Sequence, residues 1–401
     1  TPLYSSAASD VYKRQGINHI KMILHSQKRS YGKGCNVSLF TLGTMRATEN
    51  LDKMYSLIKS AHLAGINHLE TAASYGKAEI LIGEALKKLE TSEKISKGKW
   101  IITTKILPKG DFKYLKNNFE NSLINLKLKK IHNLAIHGIN LDEHLDWVLN
   151  GEGRKFLKWV IKKGFVAQIG FSSHGSYSLI EKAINCDLFS FCNLHLHFLD
   201  QSKISLAQLA LKKNMGVLAI SPADKGGRLY SPSEILLKAS EPYHPLELAY
   251  RFLLSKGITT LSIGATKFED FNIAKKLINS SQKLSSSEIS ALENIEKLAN
   301  KELKSSKCEQ CRSCLPCPSE LPIPEILRLR NISIGYGQLE FAKERYNLIG
   351  RAGHWWEEKN ASFCLECNEC VPKCPSKLNI PELLKETHNL LVEKPKKRLW
   401  G

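Results

Sequence analysis

The stretch SLFTLGTMRATENLDKMYSLIKSAHLAGINHLE, residues 38–70, predicts two parallel β-strands joined by a helix. The segments SLFTLG (38–43) and NHLE (67–70) are short and apolar, as buried strands are. Between them, LDKMYSLIKSAHLAG (51–65) carries apolar residues at helical spacing and ends on glycine, a common helix terminator. A strand, a crossover helix and a second strand form the repeating unit of parallel α/β folds.

The same unit continues along the chain, with helical patterns such as AEILIGEALKKL (78–89) and FKYLKNNFENSLINL (112–126) between apolar segments. The further strand segments are WIITTK (100–105), HNLAIH (132–137), FVAQIGFSS (165–173), DLFSFCNLH (187–195), GVLAIS (216–221) and TTLSIG (259–264). Eight strands alternating with helices predict an α/β protein built on a (β/α)8 TIM barrel. A doubly wound sheet would show a glycine-rich phosphate loop after its first strand, and this sequence has none there.

Eight of the 11 cysteines lie in two runs, CEQCRSCLPCP (308–318) and CLECNECVPKCP (364–375). The second run has the C-x2-C-x2-C-x3-C-P spacing of bacterial iron–sulfur ligation, in which three thiolates bind one cluster and the fourth binds the other. The first run has the same pattern, except that two residues instead of three separate its third and fourth cysteines. The pattern predicts two [4Fe-4S] clusters, with the ligand sets Cys308, Cys311, Cys314, Cys374 and Cys364, Cys367, Cys370, Cys317.

The two cysteine runs are halves of an internal repeat, because PSELPIPEILR (318–328) follows the first and PSKLNIPELLK (375–385) follows the second. Pro324 and Pro381 stand where a helix begins, so we expect a small, mainly helical domain. Zinc and disulfides are the alternatives. Zinc prefers separated C-x2-C pairs around one ion, and disulfides belong to small secreted domains, so neither fits the runs well.

The predicted organisation has four parts. Residues 1–36 form an N-terminal segment, in which TPLYSSAASDVYKRQ (1–15) lacks periodicity and resembles a translated sequencing-adaptor scar. The barrel domain covers 37–300, the dicluster domain covers 301–390, and a basic tail covers 391–401.

The composition, 42% hydrophobic and 24% charged, is that of an ordinary soluble protein. No run of 18 apolar residues and no signal segment is present, so we expect a cytoplasmic protein without a membrane span. The net charge of +19 comes from lysines spread along the chain without a nucleic-acid motif, which favours a solvated basic surface. An acidic electron carrier, a ferredoxin or flavodoxin, is the partner that this charge would suit.

The segment GINHLETAASYGKAE (65–79) resembles the signature of the aldo-keto reductases, in which an acid, Thr-Ala and then Tyr-Gly follow the second barrel strand. Lys105 and His137 end the third and fourth strand segments, where that family keeps its lysine and histidine. The resemblance covers about residues 28–300, and the cysteine domain resembles the dicluster extension of an iron–sulfur branch of the same superfamily.

This resemblance implies NAD(P)H-dependent reduction of a small carbonyl compound, or oxidation of the alcohol. Tyr75 would donate the proton, and a phenol with an ordinary pKa near 10 needs help to do so. The Lys105 ammonium would lower that pKa, Glu70 would keep the lysine charged, and His137 would orient or polarise the carbonyl. The clusters would relay single electrons to or from an external carrier.

The resemblance also implies contacts with the dinucleotide, at Ser172, Ser173, Asn193, Ser221, Lys225, Arg228, Gly264, Thr266 and Lys267. Several positions depart from the family pattern. Glu70 replaces the usual Asp and Asn193 replaces a Gln, while Gly264 and Asp270 replace the cations that hold the 2′-phosphate of NADP. NADP, NAD and the use of no nicotinamide at all therefore remain open.

Hydride transfer moves two electrons together, whereas each cluster moves one, and the sequence shows no flavin motif to join the two steps. Two further interpretations follow. The clusters are structural or redox-sensing beside an ordinary reductase, or the barrel is a scaffold for electron transfer and partner docking. His195 and His197 alternate out of the sixth strand and are candidates for the barrel mouth.

Overall fold

The computed structural model describes residues 27–223, 227–280, 283–351 and 359–393. The segment 1–15, Lys225 and the lysine-rich end of the basic tail, for which predictions were made above, lie outside these residues.

Eight parallel strands close into a barrel, so the prediction of a (β/α)8 barrel is confirmed. Two short strands that the sequence analysis missed, β1 (Lys28–Ser30) and β2 (Asn36–Ser38), form an antiparallel hairpin before it. The barrel strands are β3 (Phe40–Gly43), β4 (His68–Glu70), β5 (Ile101–Ile106), β6 (Ile131–Ile136), β7 (Val166–Ser173), β8 (Phe191–His195), β9 (Gly216–Ile220) and β10 (Thr260–Ile263). The strands follow one another in chain order around the barrel, and β10 pairs with β3 to close it.

Each predicted strand segment overlaps one barrel strand, and helices lie between the strands as expected. The helices of the barrel are α1 (Leu51–Leu63), α2 (Ala78–Ser92), α3 (Phe112–Leu126), α4 (Asp142–Leu149), α5 (Glu152–Lys162), α6 (Tyr177–Asn185), α7 (Ile204–Lys212), α8 (Glu234–Ala239), α9 (Pro245–Ser255), α10 (Asn272–Leu277) and α11 (Ser286–Leu303). The cysteine region adds α12 (Ile323–Gly335), α13 (Leu339–Tyr346) and α14 (Ile380–Leu391). None of the helices in the described part of the chain combines the length and the apolar character that a membrane crossing requires.

Local sequence explains where several helices begin. The side chains of Asn50 and Asp111 accept hydrogen bonds from the backbone N–H groups of the first turns of α1 and α3. Ser285 and Glu288 cap α11 reciprocally, in a capping box. These caps satisfy backbone donors that a helix otherwise leaves unpaired, so the short polar residues determine the starting points.

The helical region that follows the barrel contains its own apolar cluster, in which Leu327, Leu329 and Leu384 are almost fully buried. Pro324 and Pro381 lie in the first turns of α12 and α14, so each cysteine run leads into a helix, as expected.

The cysteine region packs on the loops that follow β8 and β9, at the carboxyl ends of the barrel strands. Arg328 on α12 forms an ion pair with Asp200 at 3.3 Å, and both side chains are largely buried. The hydroxyl of Ser233 donates to the backbone oxygen of Tyr336 over 2.6 Å. Ile332 and Tyr336 belong to the same apolar cluster as the barrel helices. The region is therefore fixed to the end of the barrel where reactive groups of such folds lie.

Candidate functional site

The side chains of Glu70, Tyr75 and Lys105 meet at the carboxyl ends of β4 and β5. The ammonium of Lys105 pairs with the carboxylate of Glu70, and these side chains are only 2% and 4% exposed. The same ammonium donates to the hydroxyl of Tyr75 over 3.1 Å and to the backbone oxygen of Thr71 over 2.8 Å. All polar contacts of the ammonium are thus made within the protein, and its charge is held against the phenol.

Burial and charge act in opposite directions on Tyr75. Burial raises the pKa of its hydroxyl and outweighs the nearby Lys105 ammonium, which lowers it, so the pKa of Tyr75 lies above its usual value. The expectation that the lysine brings this pKa down is correct for its own contribution and wrong for the sum. Burial by itself lowers the pKa of the Lys105 ammonium. Glu70 and Tyr75 together raise this pKa by more than burial lowers it, so it lies above its usual value and the side chain stays protonated.

His137 lies across Tyr75, with the two rings edge to face and their centroids 5.6 Å apart. Its Nδ1 atom lies 3.1 Å from the hydroxyl oxygen of Ser74. Burial, together with the positive charge of Lys105, lowers the pKa of His137 to about 3. The imidazole is therefore neutral at neutral pH, so one ring nitrogen carries a proton and can donate while the other can accept.

The side chains expected to bind the carboxamide of the nicotinamide ring make hydrogen bonds within the barrel. Ser172 accepts from the backbone N–H of Gly138 over 3.0 Å, and Ser173 donates to the backbone oxygen of Ile139 over 2.5 Å. Asn193 is 0% exposed and donates to the Glu70 carboxylate over 3.3 Å. The serines fasten the β6–α4 loop to β7, and Asn193 contacts the candidate catalytic acid.

The loop after β9 carries the residues expected near the pyrophosphate. Ser221 has a left-handed backbone, with φ of 47°, and is half-buried. The guanidinium of Arg228 forms an ion pair with Glu344 on α13. The cation expected to contact phosphate therefore ties the loop to the cysteine region.

The segment after β10 is already occupied by a carboxylate of the chain itself. The Asp270 Oδ2 atom accepts from the backbone N–H groups of Thr266 and Lys267, over 2.7 and 3.2 Å, and from the Thr266 hydroxyl over 3.2 Å. Beside this segment, the side chain of Arg46 lies against Gly264, where a Cβ atom would be 3.7 Å from its Cδ. Sequence reasoning missed Arg46, because it comes from the loop after β3.

Three histidines gather at the ends of β7 and β8. The rings of His174 and His195 have centroids 4.4 Å apart, and those of His195 and His197 are 5.8 Å apart. The sequence pattern had indicated only His195 and His197. His174 lies beside them because β7 and β8 are neighbours in the barrel.

The eight cysteines of the two runs line two cavities. One cavity is lined by Cys308, Cys311, Cys314 and Cys374. The other is lined by Cys314, Cys317, Cys364, Cys367 and Cys370, so Cys314 lines both cavities. The fourth cysteine of each run thus lies in the cavity of the other run, which is the crossed arrangement expected from the spacing.

The thiols of each set act on one another electrostatically. Burial raises the pKa of Cys308 to about 11, with further contributions from Cys311 and Cys374. Burial likewise raises the pKa of Cys370, with contributions from Cys364, Cys317 and Cys367. Within the described ranges, no three His, Cys, Asp or Glu side chains are arranged to hold a metal ion. The cysteines of the two runs line the walls of the two cavities.

The backbone repeats its conformation in the two runs. Three corresponding positions have positive φ in each half, namely Gln310, Arg312 and Glu320 in the first and Glu366, Asn368 and Lys377 in the second. Left-handed residues within a turn direct successive N–H groups to one side, as in the concave backbone turns that surround anions and iron–sulfur clusters. The internal repeat of the sequence is thus also a repeat of the structure.

Residues 40–234 match the model of the aldo/keto reductase family. This range runs from β3 to the beginning of α8 and contains seven of the eight barrel strands. The cysteine runs lie outside it. The matched range and the closed barrel define an enzyme, an oxidoreductase that uses NAD(P)H. Over the matched range the barrel domain is similar to the aldo/keto reductase family.

Solved structures of similar proteins share the fold. The aldo-keto reductase AKR11C1 from Bacillus halodurans, in its holo form, is 20% identical with a TM-score of 0.57, and the match covers 67% of this chain and 96% of that one. The aldose reductase from Schistosoma japonicum is 21% identical with a TM-score of 0.54, covering 67% and 92%. MGS-M4, an aldo-keto reductase enzyme from a Medee basin deep-sea metagenome library, is 19% identical with a TM-score of 0.53, covering 66% and 93%.

Proposed function

We propose that the chain reduces a small aldehyde or ketone with NAD(P)H, or oxidises the corresponding alcohol, and that two [4Fe-4S] clusters relay electrons to or from an external carrier. The observation that carries the carbonyl chemistry is the position of the Lys105 ammonium, which contacts both the Glu70 carboxylate and the Tyr75 hydroxyl, the latter at 3.1 Å. A phenol held by a permanent cation is suited to give up its proton as negative charge develops on a carbonyl oxygen.

In this reaction bound NAD(P)H supplies the hydride that reduces the carbonyl carbon. Tyr75 donates its proton to the carbonyl oxygen, and the Lys105 ammonium stabilises the resulting phenolate. Glu70 keeps the lysine charged, and the neutral His137 donates a hydrogen bond that orients the carbonyl. The phenolate then regains a proton from solvent. Aldehyde, hydride and proton together give the alcohol, so the step balances without a further reductant.

The segment after β10 supports NADH over NADPH. An added 2′-phosphate at this segment would meet the negative charge of Asp270, whose carboxylate already accepts from the Thr266 and Lys267 N–H groups. Like charges close together repel, and the Thr266 and Lys267 N–H groups already donate to Asp270. NAD is therefore the cofactor that we favour.

The two cavities support iron–sulfur clusters in the crossed ligand sets, because each is lined by cysteines of both runs. Each cluster would transfer one electron at a time. All 11 cysteines are free thiols in the structure, and thiolate ligation of iron requires a reducing compartment, for which we propose the cytoplasm. An acidic carrier, a ferredoxin or flavodoxin, would suit the net charge of +19.

The carbonyl chemistry is tested with anaerobically purified protein, NADH or NADPH, and 4-nitrobenzaldehyde as the probe, by following the loss of reduced nucleotide. We expect turnover by the wild type and a loss of about 10²-fold or more in kcat for Tyr75→Phe. Tyr55→Phe is the matched control, because its hydroxyl contacts Glu93 on the outside of the barrel. Equal rates for wild type and Tyr75→Phe would exclude Tyr75 as the proton donor.

The cluster part is tested separately, by iron analysis and anaerobic EPR with NADH or with dithionite as the reductant. A reduced-cluster signal from NADH alone would support electron flow between the two regions. A signal from dithionite alone would leave the clusters as structural groups or as groups served by another donor. Zinc in place of iron would overturn the cluster proposal.

A further inference from the structure

The hairpin of β1 and β2 inserts Tyr31 into the amino-terminal end of the barrel. The side chain of Tyr31 is 0% exposed, and its ring packs on His68 and Phe191, with centroids 5.3 and 4.9 Å away. Gly216, the first residue of β9, makes room for it, since a Cβ atom there would lie 2.5 Å from a ring carbon of Tyr31. The barrel is therefore shaped to admit this tyrosine.

The backbone around Tyr31 is held firmly at the barrel floor. The Tyr31 N–H donates to the Cys35 backbone oxygen over 2.8 Å, which closes the turn of the hairpin. The Gln168 side chain on β7 donates to the Tyr31 backbone oxygen over 2.7 Å and accepts from the Lys33 N–H over 2.8 Å. Because the backbone and the ring of Tyr31 are both held, the position of its hydroxyl oxygen is fixed.

That hydroxyl donates to the Asn193 Oδ1 atom over 2.7 Å, and the Asn193 Nδ2 atom donates to the Glu70 carboxylate over 3.3 Å. Charge decides the direction of this chain of hydrogen bonds. A carboxylate only accepts, so the amide must present its NH2 group to Glu70 and its oxygen to Tyr31. A reversed amide would turn its oxygen toward Glu70 and repel it. By donating to the amide oxygen, Tyr31 supports the orientation of Asn193 that the Glu70 carboxylate requires.

Side-chain lengths fit this arrangement. Glu70 has one methylene more than an aspartate, and Asn193 has one fewer than a glutamine, which are the residues that the family resemblance implies at these positions. The longer acid can meet the shorter amide, and the same carboxylate oxygen that accepts from Asn193 also pairs with Lys105. The two departures from the family pattern are therefore complementary.

We propose that Tyr31 is a positioning residue for the Glu70–Lys105 pair and acts through Asn193, so that the hairpin at the barrel floor is part of the catalytic machinery. This inference rests on the function proposed above. It also assigns Asn193 to support of the carboxylate in place of cofactor binding.

The test is a double-mutant cycle between Tyr31→Phe and Glu70→Gln, with NADH and 4-nitrobenzaldehyde as substrates. Loss of one hydrogen bond in this chain should lower kcat about tenfold while KM changes less than about twofold. In the Glu70→Gln background the same change should have no further effect, because its target is gone. Tyr250→Phe, another buried tyrosine of the barrel, is the matched control and should leave kcat unchanged.

A second readout does not need turnover. The ionisation of Tyr75 is followed by NMR of protein labelled with ¹³C at the tyrosine hydroxyl carbon, with Tyr75→Phe used to assign its signal. Tyr31→Phe should shift the pKa of Tyr75, and the shift should be absent in the Glu70→Gln background. This measurement separates the inference from the proposed function, since a protein without reductase activity can still show the coupling.

Additive losses in the cycle, or an unchanged kcat and an unchanged Tyr75 titration in Tyr31→Phe, would overturn the inference. If Tyr31→Phe fails to fold, Asn193→Leu replaces it, since this change keeps a similar side-chain volume and removes both hydrogen bonds. In the Glu70→Gln background, Asn193→Leu should likewise cause no further loss of kcat. An additive loss of kcat there would contradict the inference.

Discussion

The Lys105 ammonium lies 3.1 Å from the Tyr75 hydroxyl, and the Glu70 carboxylate holds it there. Both charges of the ion pair are almost completely buried, so each is the main compensation for the other. A buried pair of this kind is costly to break from one side, because the remaining charge has no solvent to replace its partner.

Lys105→Met should therefore destabilise the protein by about 3–5 kcal/mol and abolish turnover. Urea denaturation at neutral pH measures the first effect and the aldehyde assay measures the second. The double variant Lys105→Met/Glu70→Gln should recover part of the stability, because no charge is left unpaired, while remaining inactive. If the double variant is no more stable than Lys105→Met, the unpaired Glu70 carboxylate is not the cause of the lost stability.

Asp270→Asn should raise the affinity for NADPH about tenfold and leave the affinity for NADH within about twofold, because it removes the negative charge facing the 2′-phosphate. The asparagine oxygen can still accept from the Thr266 and Lys267 N–H groups, so the local turn should persist. Calorimetric titration with each nucleotide gives the two dissociation constants. Glu269→Gln is the matched control, since this neighbouring acid is exposed. NADPH affinity that responds equally to both changes would mean that overall charge matters and the position does not.

Cys374→Ser should remove the cluster held by the first cysteine run, although Cys374 belongs to the second. About half of the iron should be lost. Alkylation followed by mass spectrometry should find Cys308, Cys311 and Cys314 newly reactive. Cys317→Ser should expose the thiols of the second run instead. Cys186→Ser, in the barrel and away from both cavities, should leave the iron content unchanged. Newly reactive thiols within the run that carries the substitution would contradict crossed ligation.

The folded protein should lose stability in acid through its buried histidines. Burial lowers the pKa of both His68 and His137 to about 3, from the ordinary 6.5. Between these two pH values the unfolded chain binds the protons and the folded chain does not, so the free energy of unfolding falls as pH decreases. His137→Gln should therefore flatten the pH dependence of the urea midpoint between about pH 7 and pH 4.5. His144→Gln is the comparison, since His144 lies on the outer helix α4. Equal slopes for wild type and His137→Gln would show that this histidine is not held neutral.

The periodic parts of the fold are predictable from the sequence. Alternating apolar strands and amphipathic helices require both faces of a parallel sheet to be covered, and eight such units close into a barrel. The meeting of Glu70, Lys105 and Tyr75 follows from the same topology, because the carboxyl ends of neighbouring parallel strands come together. The cysteine spacing likewise anticipates that the fourth cysteine of each run lines a cavity together with the first three of the other run.

The partners of the polar side chains are not predictable in this way. Tyr31 and Asn193 are 162 positions apart, and the short hairpin that brings them together has no strong strand pattern. Arg228 is paired with Glu344, which lies 116 positions away in the cysteine region. The pKa of Tyr75 depends on how deeply the phenol is buried, and burial is a property of the assembled barrel.

The sequence by itself determined the barrel, the helices after the cysteine runs and the candidate catalytic residues, since these depend on local periodicity and spacing. Only the tertiary structure decided what those residues touch. Asn193 supports an acid, Arg228 anchors a loop, and Asp270 fills an anion site, because hydrogen bonds and charges are satisfied by whichever group the closed fold brings within about 3 Å.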